Sequence, residues 1–276
     1  MFFRNQKINT NINYRKDNTT EIVHSNIPKQ PQPQKSRYYM HPGGTITDPL
    51  IKDILNSPHT LIGGTTGSGK STLLDNIIYN ILTCCDINNN LILIDPKLIA
   101  LNKYKKLPQV LKYADNVQDT INVLNYAIDN MMYRYSIIKD MGLKEYNGSS
   151  IYIIIDELAD LMTSPQAKEI QNKLQKLLQL SRAAKIHIIA CTQSPSRIVI
   201  PSTLVLNFTN RVALRCLSPI ESRQIINIKG AENLPQYGQC LYMNSTGIKT
   251  YNINMVSDSA IEKAIDNWLY NLEIVK

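Results

Sequence analysis

The stretch Thr60-Leu-Ile-Gly-Gly64-Thr65-Thr66-Gly67-Ser68-Gly69-Lys70-Ser71 decides how the rest of this 276-residue chain is read. Its last eight residues fit the pattern G-x-x-x-x-G-K-[ST] without a mismatch. Thr60–Gly64 is a short apolar run ending in glycine, which predicts a buried strand. Beyond the glycines, Leu74, Ile77, Ile78 and Ile81 recur at helical spacing across Ser71–Cys85. A glycine-rich turn between strand and helix lets the backbone curl until several N–H groups face inward, and the helix start adds its positive end. Such a turn binds phosphate. The expected nucleotide-binding residues are therefore Gly64, Thr65, Thr66, Gly67, Ser68, Gly69, Lys70, Ser71 and Thr72. Lys70 would reach the β- and γ-phosphates of ATP, and the Ser71 hydroxyl would bind Mg²⁺.

Working outward, Ile151-Tyr-Ile-Ile-Ile-Asp156-Glu157 reads as a strand that delivers two acids to the carboxyl end of a sheet, where ligands bind in this architecture. Asp156 is expected in the Mg²⁺ shell, and Glu157 is placed to polarise an attacking water. Leu91–Ile94, stopped by Asp95-Pro96, falls between these strands in sequence. It implies the RecA-like order, with an extra strand between the P-loop strand and the Asp156 strand. Asn116–Met141 and Gln166–Ala184 carry helical periodicity; Ile186–Cys191 gives a fourth strand, and Arg211–Leu214 begins a fifth. Continuously apolar strands alternating with helices predict an α/β fold: a RecA-like P-loop ATPase with a mainly parallel sheet flanked by helices. The fourth strand runs into Thr192-Gln193, and the Gln193 amide is expected to hydrogen-bond the γ-phosphate. Arg182, Arg211 and Arg223 all follow Asp156, and any of them could be a finger supplied to a neighbouring subunit.

Composition sets the boundaries. Hydrophobic residues make up 43% of the chain, enough for a full-sized core. No apolar run approaches the roughly 18–20 residues of a membrane span, and the start never forms a signal-peptide core. The expectation is a cytoplasmic protein with no intrinsic membrane span, brought to a membrane only through a partner. Five cysteines show no metal-ligand spacing and read as reduced thiols. Net charge is +8, but residues 1–37 carry seven Lys/Arg against Asp17 and Glu21, a net of +5, leaving +3 for the remainder. Residues 1–40 are accordingly read as a basic polar tail and linker, either a solvated leader or a nucleic-acid-binding arm. Residues 41–256 form the expected motor domain, and residues 257–276 a C-terminal helix.

Several stretches then narrow the reading. Ser57-Pro-His-Thr-Leu-Ile-Gly-Gly-Thr-Thr-Gly-Ser-Gly-Lys-Ser71, Leu93-Ile-Asp-Pro-Lys97, Ile155-Asp-Glu-Leu-Ala-Asp-Leu-Met162 and Ser181-Arg-Ala-Ala-Lys-Ile-His187 resemble segments of the FtsK/SpoIIIE DNA translocases. Thr192-Gln-Ser-Pro-Ser196, Glu221-Ser-Arg-Gln-Ile-Ile226 and Gly230-Ala-Glu232 continue the likeness, in order, to Tyr242. The resemblance, over about residues 57–243, implies a homo-hexameric ring that drives double-stranded DNA through its centre by ATP hydrolysis. It marks Arg182 as the first candidate for the trans-acting finger and Arg223 as a DNA contact.

The departures matter as well. Gln193-Ser-Pro-Ser196 stands where the family has Gln-Arg-Pro-Ser, and two family lysines correspond to Val205 and Pro219. Arg197 is a possible compensating DNA contact. Neither the membrane region and long linker of the cell-division members nor a following winged-helix module is seen, so sequence-directed orientation on DNA is not expected to be intrinsic. The resulting expectation is a DNA translocase acting in transfer, segregation, replication or packaging of a mobile element, with replication or transfer proteins as partners. A protein-secretion ATPase and a nucleotide-dependent adaptor are the alternatives.

Overall fold

Runs rich in isoleucine build the sheet, because β-branched side chains fit a pleated surface buried on both faces. The computed structural model describes residues 45–273 apart from residue 87, and the expected tail, residues 1–40, lies outside them. In chain order the elements begin with α1 (Pro49–Asn56), β1 (His59–Gly63), α2 (Lys70–Cys84), β2 (Asn90–Ile94), β3 (Val110–Ala114) and α3 (Val117–Asp140). Next come β4 (Ile151–Ile155), α4 (Leu158–Met162), α5 (Ala167–Leu180), β5 (Ile186–Thr192), α6 (Ser202–Val205) and β6 (Asn210–Ala213). The chain ends with α7 (Pro219–Ile226), β7 (Gln239–Asn244), β8 (Gly247–Asn252) and α8 (Asp258–Glu273).

One eight-stranded sheet has the order β3-β2-β4-β5-β1-β6-β7-β8. All pairs from β3 through β6 are parallel, whereas β7 and β8 add an antiparallel hairpin at one edge. Alternation along each strand splits the core between the two faces. Tyr152 and Ile154 join residues of α1, α2 and α8, while Ile151, Ile153 and Ile155 join residues of α3, α5 and α6.

The expected extra strand between the P-loop strand and the Asp156 strand is present, but it is β5. Leu91–Ile94, within β2, lies on the far side of β4. Three strands escaped the sequence reading: β3 and β8 at the two sheet edges, and β7 beside β8. β3 is half-exposed and interrupted by Lys112, and β8 is exposed along most of its length, so neither carries a continuous apolar run. The helix α1 was also missed; the Asp48 carboxylate caps it by accepting from the N–H groups of Leu50 and Ile51, with Pro49 in the first turn.

The two family lysine positions take different local roles here. Val205 is 9% exposed and packs into the cluster shared with α3 and α5. Pro219 opens α7, where its fixed φ suits the first helical position, and Ser218 caps that helix by accepting from the Glu221 N–H.

Candidate active site

Three parallel strands end together to form the site. β1 leads into the glycine turn, β4 into Asp156-Glu157 and β5 into Gln193. The turn is stitched to both neighbours of β1: the Gly64 N–H donates to the Thr192 carbonyl (3.3 Å) and the Thr65 N–H to the Arg215 carbonyl (3.0 Å). Gly64 has no room for a side chain, since a Cβ there would fall 2.7 Å from both Leu214 Cβ and Ser68 Oγ. Gly69 turns the chain into α2 at φ +98°, in the left-handed region, and as the N-cap it offers no side-chain acceptor. The first-turn N–H groups of Lys70, Ser71 and Thr72 therefore lack intrahelical acceptors and sit at the positive end of the helix.

The fit to a triphosphate and a hard cation rests on groups left unsatisfied. Ser68 Oγ is buried without a hydrogen-bond partner. Among the described residues, the Asp156 carboxylate and the Ser71 hydroxyl have no hydrogen-bond partner, so both oxygens are available to Mg²⁺. That ion characteristically takes one or two protein oxygens and completes its shell with phosphates and water. Lys70 is buried, and its ammonium donates to the Gly64 carbonyl (2.7 Å) and the Thr65 carbonyl (3.0 Å) of its own loop.

Glu157 contrasts with its neighbour Asp156. Only 2% exposed, its carboxylate accepts the Gln193 N–H on both oxygens (3.1 Å each) and the Ala159 N–H (3.3 Å), which caps α4. Lys97, from the loop after β2, lies 3.8 Å from Glu157 Oε2 and 3.3 Å from Asp160 Oδ2. The Gln193 side chain faces the turn, its Oε1 accepting from Thr66 Oγ1 at 2.7 Å. A chain of contacts thus runs from the glycine turn through Gln193 to Glu157.

Electrostatics follow from this crowding. Burial, then Asp95, then Glu157 push the Asp156 carboxyl up to about 6, against the pull of Lys97 and Lys70. Burial lowers the Lys70 ammonium below its ordinary value, while Cys191, Glu157 and Asp156 oppose that shift. The Cys191 thiol, fully enclosed behind the site, is raised by burial and stays protonated.

The arginines fall in separate places. Arg182 is exposed in the turn before β5, at the amino edge of the sheet. β5 is seven residues long, so at about 3.3 Å per residue the glycine turn of the same chain lies roughly 20 Å away. That is beyond the reach of any side chain. Arg211 is not available as a finger: it is buried, and it donates to the Phe208 carbonyl (3.2 Å), the Ile225 carbonyl (3.4 Å) and Asn227 Oδ1 (3.3 Å). Arg223 is exposed on α7, and Arg197 is exposed in the loop after β5 beside Ile198, which is 97% exposed. Sequence reasoning missed the contribution of Lys97, although Asp95-Pro-Lys97 was among the quoted segments. It also passed over Arg215, whose backbone holds the glycine turn.

Strand order, glycine turn and paired acids together define a RecA-like P-loop ATPase domain. Comparison with known proteins agrees. The FtsK/SpoIIIE family profile matches residues 28–150. The "DNA translocase FtsK" of Caldanaerobacter subterraneus subsp. tengcongensis is 34% identical, aligned over 79% of this chain and 32% of its own length. That of Bradyrhizobium diazoefficiens is 32% identical, with the same coverage of 79% and 32%. The chain belongs to the FtsK/SpoIIIE family, and it spans about a third of the length of these curated relatives.

Among solved structures, the pCW3 conjugation coupling protein TcpA, in its monomer form with ATPγS, superposes with a TM-score of 0.69 at 23% identity. The match covers 81% of this chain and 66% of that one. The cytoplasmic domain of the type VII secretion ATPase EccC from Thermomonospora curvata gives 0.63 at 19% identity, over 76% of this chain and 28% of that one. At these identities the likeness concerns the fold. No helix among the described residues is long and apolar enough to cross a membrane.

Proposed function

We propose that this chain is an ATP-hydrolysing motor that moves double-stranded DNA, working as a homo-hexamer and drawing on one arginine from each neighbouring copy. The observation that carries the catalytic part is the pairing at the end of β4: an Asp156 carboxylate with no protein partner beside a Glu157 carboxylate held by backbone N–H groups. In this reading the N–H groups of the glycine turn and Lys70 bind the β- and γ-phosphates. Ser71 and Asp156 hold Mg²⁺, which when bound neutralises charge developing on the phosphates. Glu157 polarises the attacking water, and Gln193 exchanges its Thr66 partner for the γ-phosphate. Arg182, too far from its own glycine turn to act there, is the residue offered to a neighbour. Arg197 and Arg223 are the proposed contacts to the DNA backbone, and residues 41–256 are the proposed motor unit. The named activity of the curated relatives supports DNA as cargo.

A second reading, a polypeptide-moving ATPase, is favoured by one observation: the two family lysine positions are occupied by the packed Val205 and the helix-opening Pro219, which weakens phosphate contacts along a pore. The ATPase rate of the chain, measured at fixed salt with and without duplex DNA and with an unstructured peptide, separates the two. Strong stimulation by duplex DNA supports the first reading and stimulation by peptide alone the second. No nucleotide hydrolysis under any condition refutes both.

A further inference from the structure

The loop Asp95-Pro-Lys97-Leu98-Ile99 is built as though its purpose were to hold one ammonium group. Asp95 is fully buried at the end of β2, and its carboxylate is occupied with its own loop, accepting from the N–H groups of Ile99 (3.3 Å) and Leu101 (2.9 Å). The Leu98 N–H closes the turn on the Asp95 carbonyl at 3.1 Å. Leu98 itself takes φ +59°, in the left-handed region, while leaving its apolar side chain 53% exposed. A bulky residue in that conformation costs about 1–3 kcal/mol and persists only where the surroundings dictate it. The bonds from the Leu98 and Ile99 N–H groups back to Asp95 hold that conformation, which sets the course of the chain beside Lys97.

Lys97 Nζ lies between two carboxylates, 3.3 Å from Asp160 Oδ2 and 3.8 Å from Glu157 Oε2. Among the described residues no other cation comes within 4 Å of the Glu157 carboxylate. At 3.8 Å this is not a hydrogen bond but a charge aimed at one oxygen, and with Lys97 38% exposed its worth as a stabilising salt bridge is small. What a fixed cation at that distance can do is orient. The Gln193 and Ala159 N–H groups hold Glu157 from the β5 and α4 sides, and Lys97 holds it from the β2 side. The carboxylate is thus held from three elements, and its orientation is restricted accordingly. Asp160, on the first turn of α4, is the nearer partner of the ammonium and anchors it beside Glu157.

We propose that Lys97 is a positioning residue for Glu157, setting the orientation of the water-polarising carboxylate without contacting nucleotide. This rests on the reading of Glu157 given under the proposed function. Lys97 is partly exposed and packs little, so its variants should fold.

Steady-state ATPase kcat and KM, together with affinity for a non-hydrolysed ATP analogue, would be measured for the full chain and for Lys97→Ala, Lys97→Arg, Glu157→Gln and the Lys97→Ala/Glu157→Gln pair. Lys97→Ala should lower kcat about 10- to 100-fold with KM and analogue affinity within about twofold, the pattern of a misoriented reacting group. Lys97→Arg should recover most of that loss. In the Glu157→Gln background, Lys97→Ala should cost nothing further, because the residue it orients is already disabled. An unchanged kcat, a loss confined to KM or affinity, or a full additional loss on top of Glu157→Gln would each overturn the assignment. Absence of Glu157-dependent hydrolysis in the unaltered chain would instead overturn the proposed function, and this inference with it.

Discussion

At the carboxyl edge of the parallel strands, Glu157 stands close enough to Asp156 and Lys70 to bear on the ionisation of both. At the amino edge of the same strands, burial chiefly shifts His59, His187 and Arg134, and backbone hydrogen bonds hold each in place. His59 Nδ1 accepts the Ile188 N–H at 3.2 Å, and burial, then His187, push its pKa down to about 3. His187 Nδ1 donates to the Ser57 carbonyl at 2.8 Å while its ring stacks on Tyr152, with centroids 5.0 Å apart. Arg134 donates to the carbonyls of Ala184 (2.8 Å) and Lys185 (3.3 Å) and lies over the Tyr146 ring. One edge ties its polar side chains to the backbone, whereas the other leaves oxygens and N–H groups free for a ligand. Variants at the two edges should therefore fail in different ways.

The largest expected effect is at the carboxyl edge. Lys70→Ala should reduce ATP turnover to background, and Glu157→Gln should lower kcat by about 10²–10⁴ while nucleotide binding persists. Turnover and analogue binding measured side by side check this, and normal turnover by Glu157→Gln would erase the functional half of the contrast. At the amino edge, Arg134→Met should destabilise the chain by about 1–3 kcal/mol in denaturant titration, because it leaves the buried Ala184 carbonyl unpaired. The kcat of the folded fraction should stay within about twofold.

A smaller, pH-dependent effect comes from His59. Its folded-state pKa lies below the unfolded value of 6.5, so its contribution to stability is present above pH 6.5 and is lost as pH falls toward 3. Stability against pH should therefore slope downward below 6.5, by a total on the order of 2–4 kcal/mol. His59→Asn, whose Oδ1 can keep the Ile188 N–H without taking a proton, should flatten that slope.

The smallest effect runs in the opposite sense. Asp156 is raised to about 6, so the native state holds its proton more tightly than the unfolded chain does. The associated stability is present below pH 3.8 and lost as pH rises through about 6. Without nucleotide or metal, Asp156→Asn should raise Tm by about 2–4 °C at pH 8 and leave it unchanged near pH 3. A fall in Tm at pH 8 would show that the carboxylate is stabilising after all.

The parts of the molecule legible in the sequence are those whose signal is contiguous. The glycine turn, the Ile151–Ile155 strand with its two acids, and the amphipathic helix carrying Ile170, Leu174, Leu177 and Leu178 each announce themselves within a single window. What stayed hidden depends on contacts between distant segments. Arg211, in β6, looks like any other arginine until α7 packs against it, and Lys97 acquires its proposed role only when β2 pairs with β4. The missed edge strands show the same limit, since a strand covered on only part of one face has no reason to be uniformly apolar.

The stitching of the glycine turn to both neighbours of its strand has a mechanical consequence. The Thr192 carbonyl ends the strand whose onward chain bears Arg197, and the Arg215 carbonyl lies on the path from β6 to the helix bearing Arg223. In the proposed reading, five residues, from Thr192 to Arg197, and eight, from Arg215 to Arg223, link the turn to the two candidate DNA contacts. A displaced turn would then pull on both segments through these two hydrogen bonds.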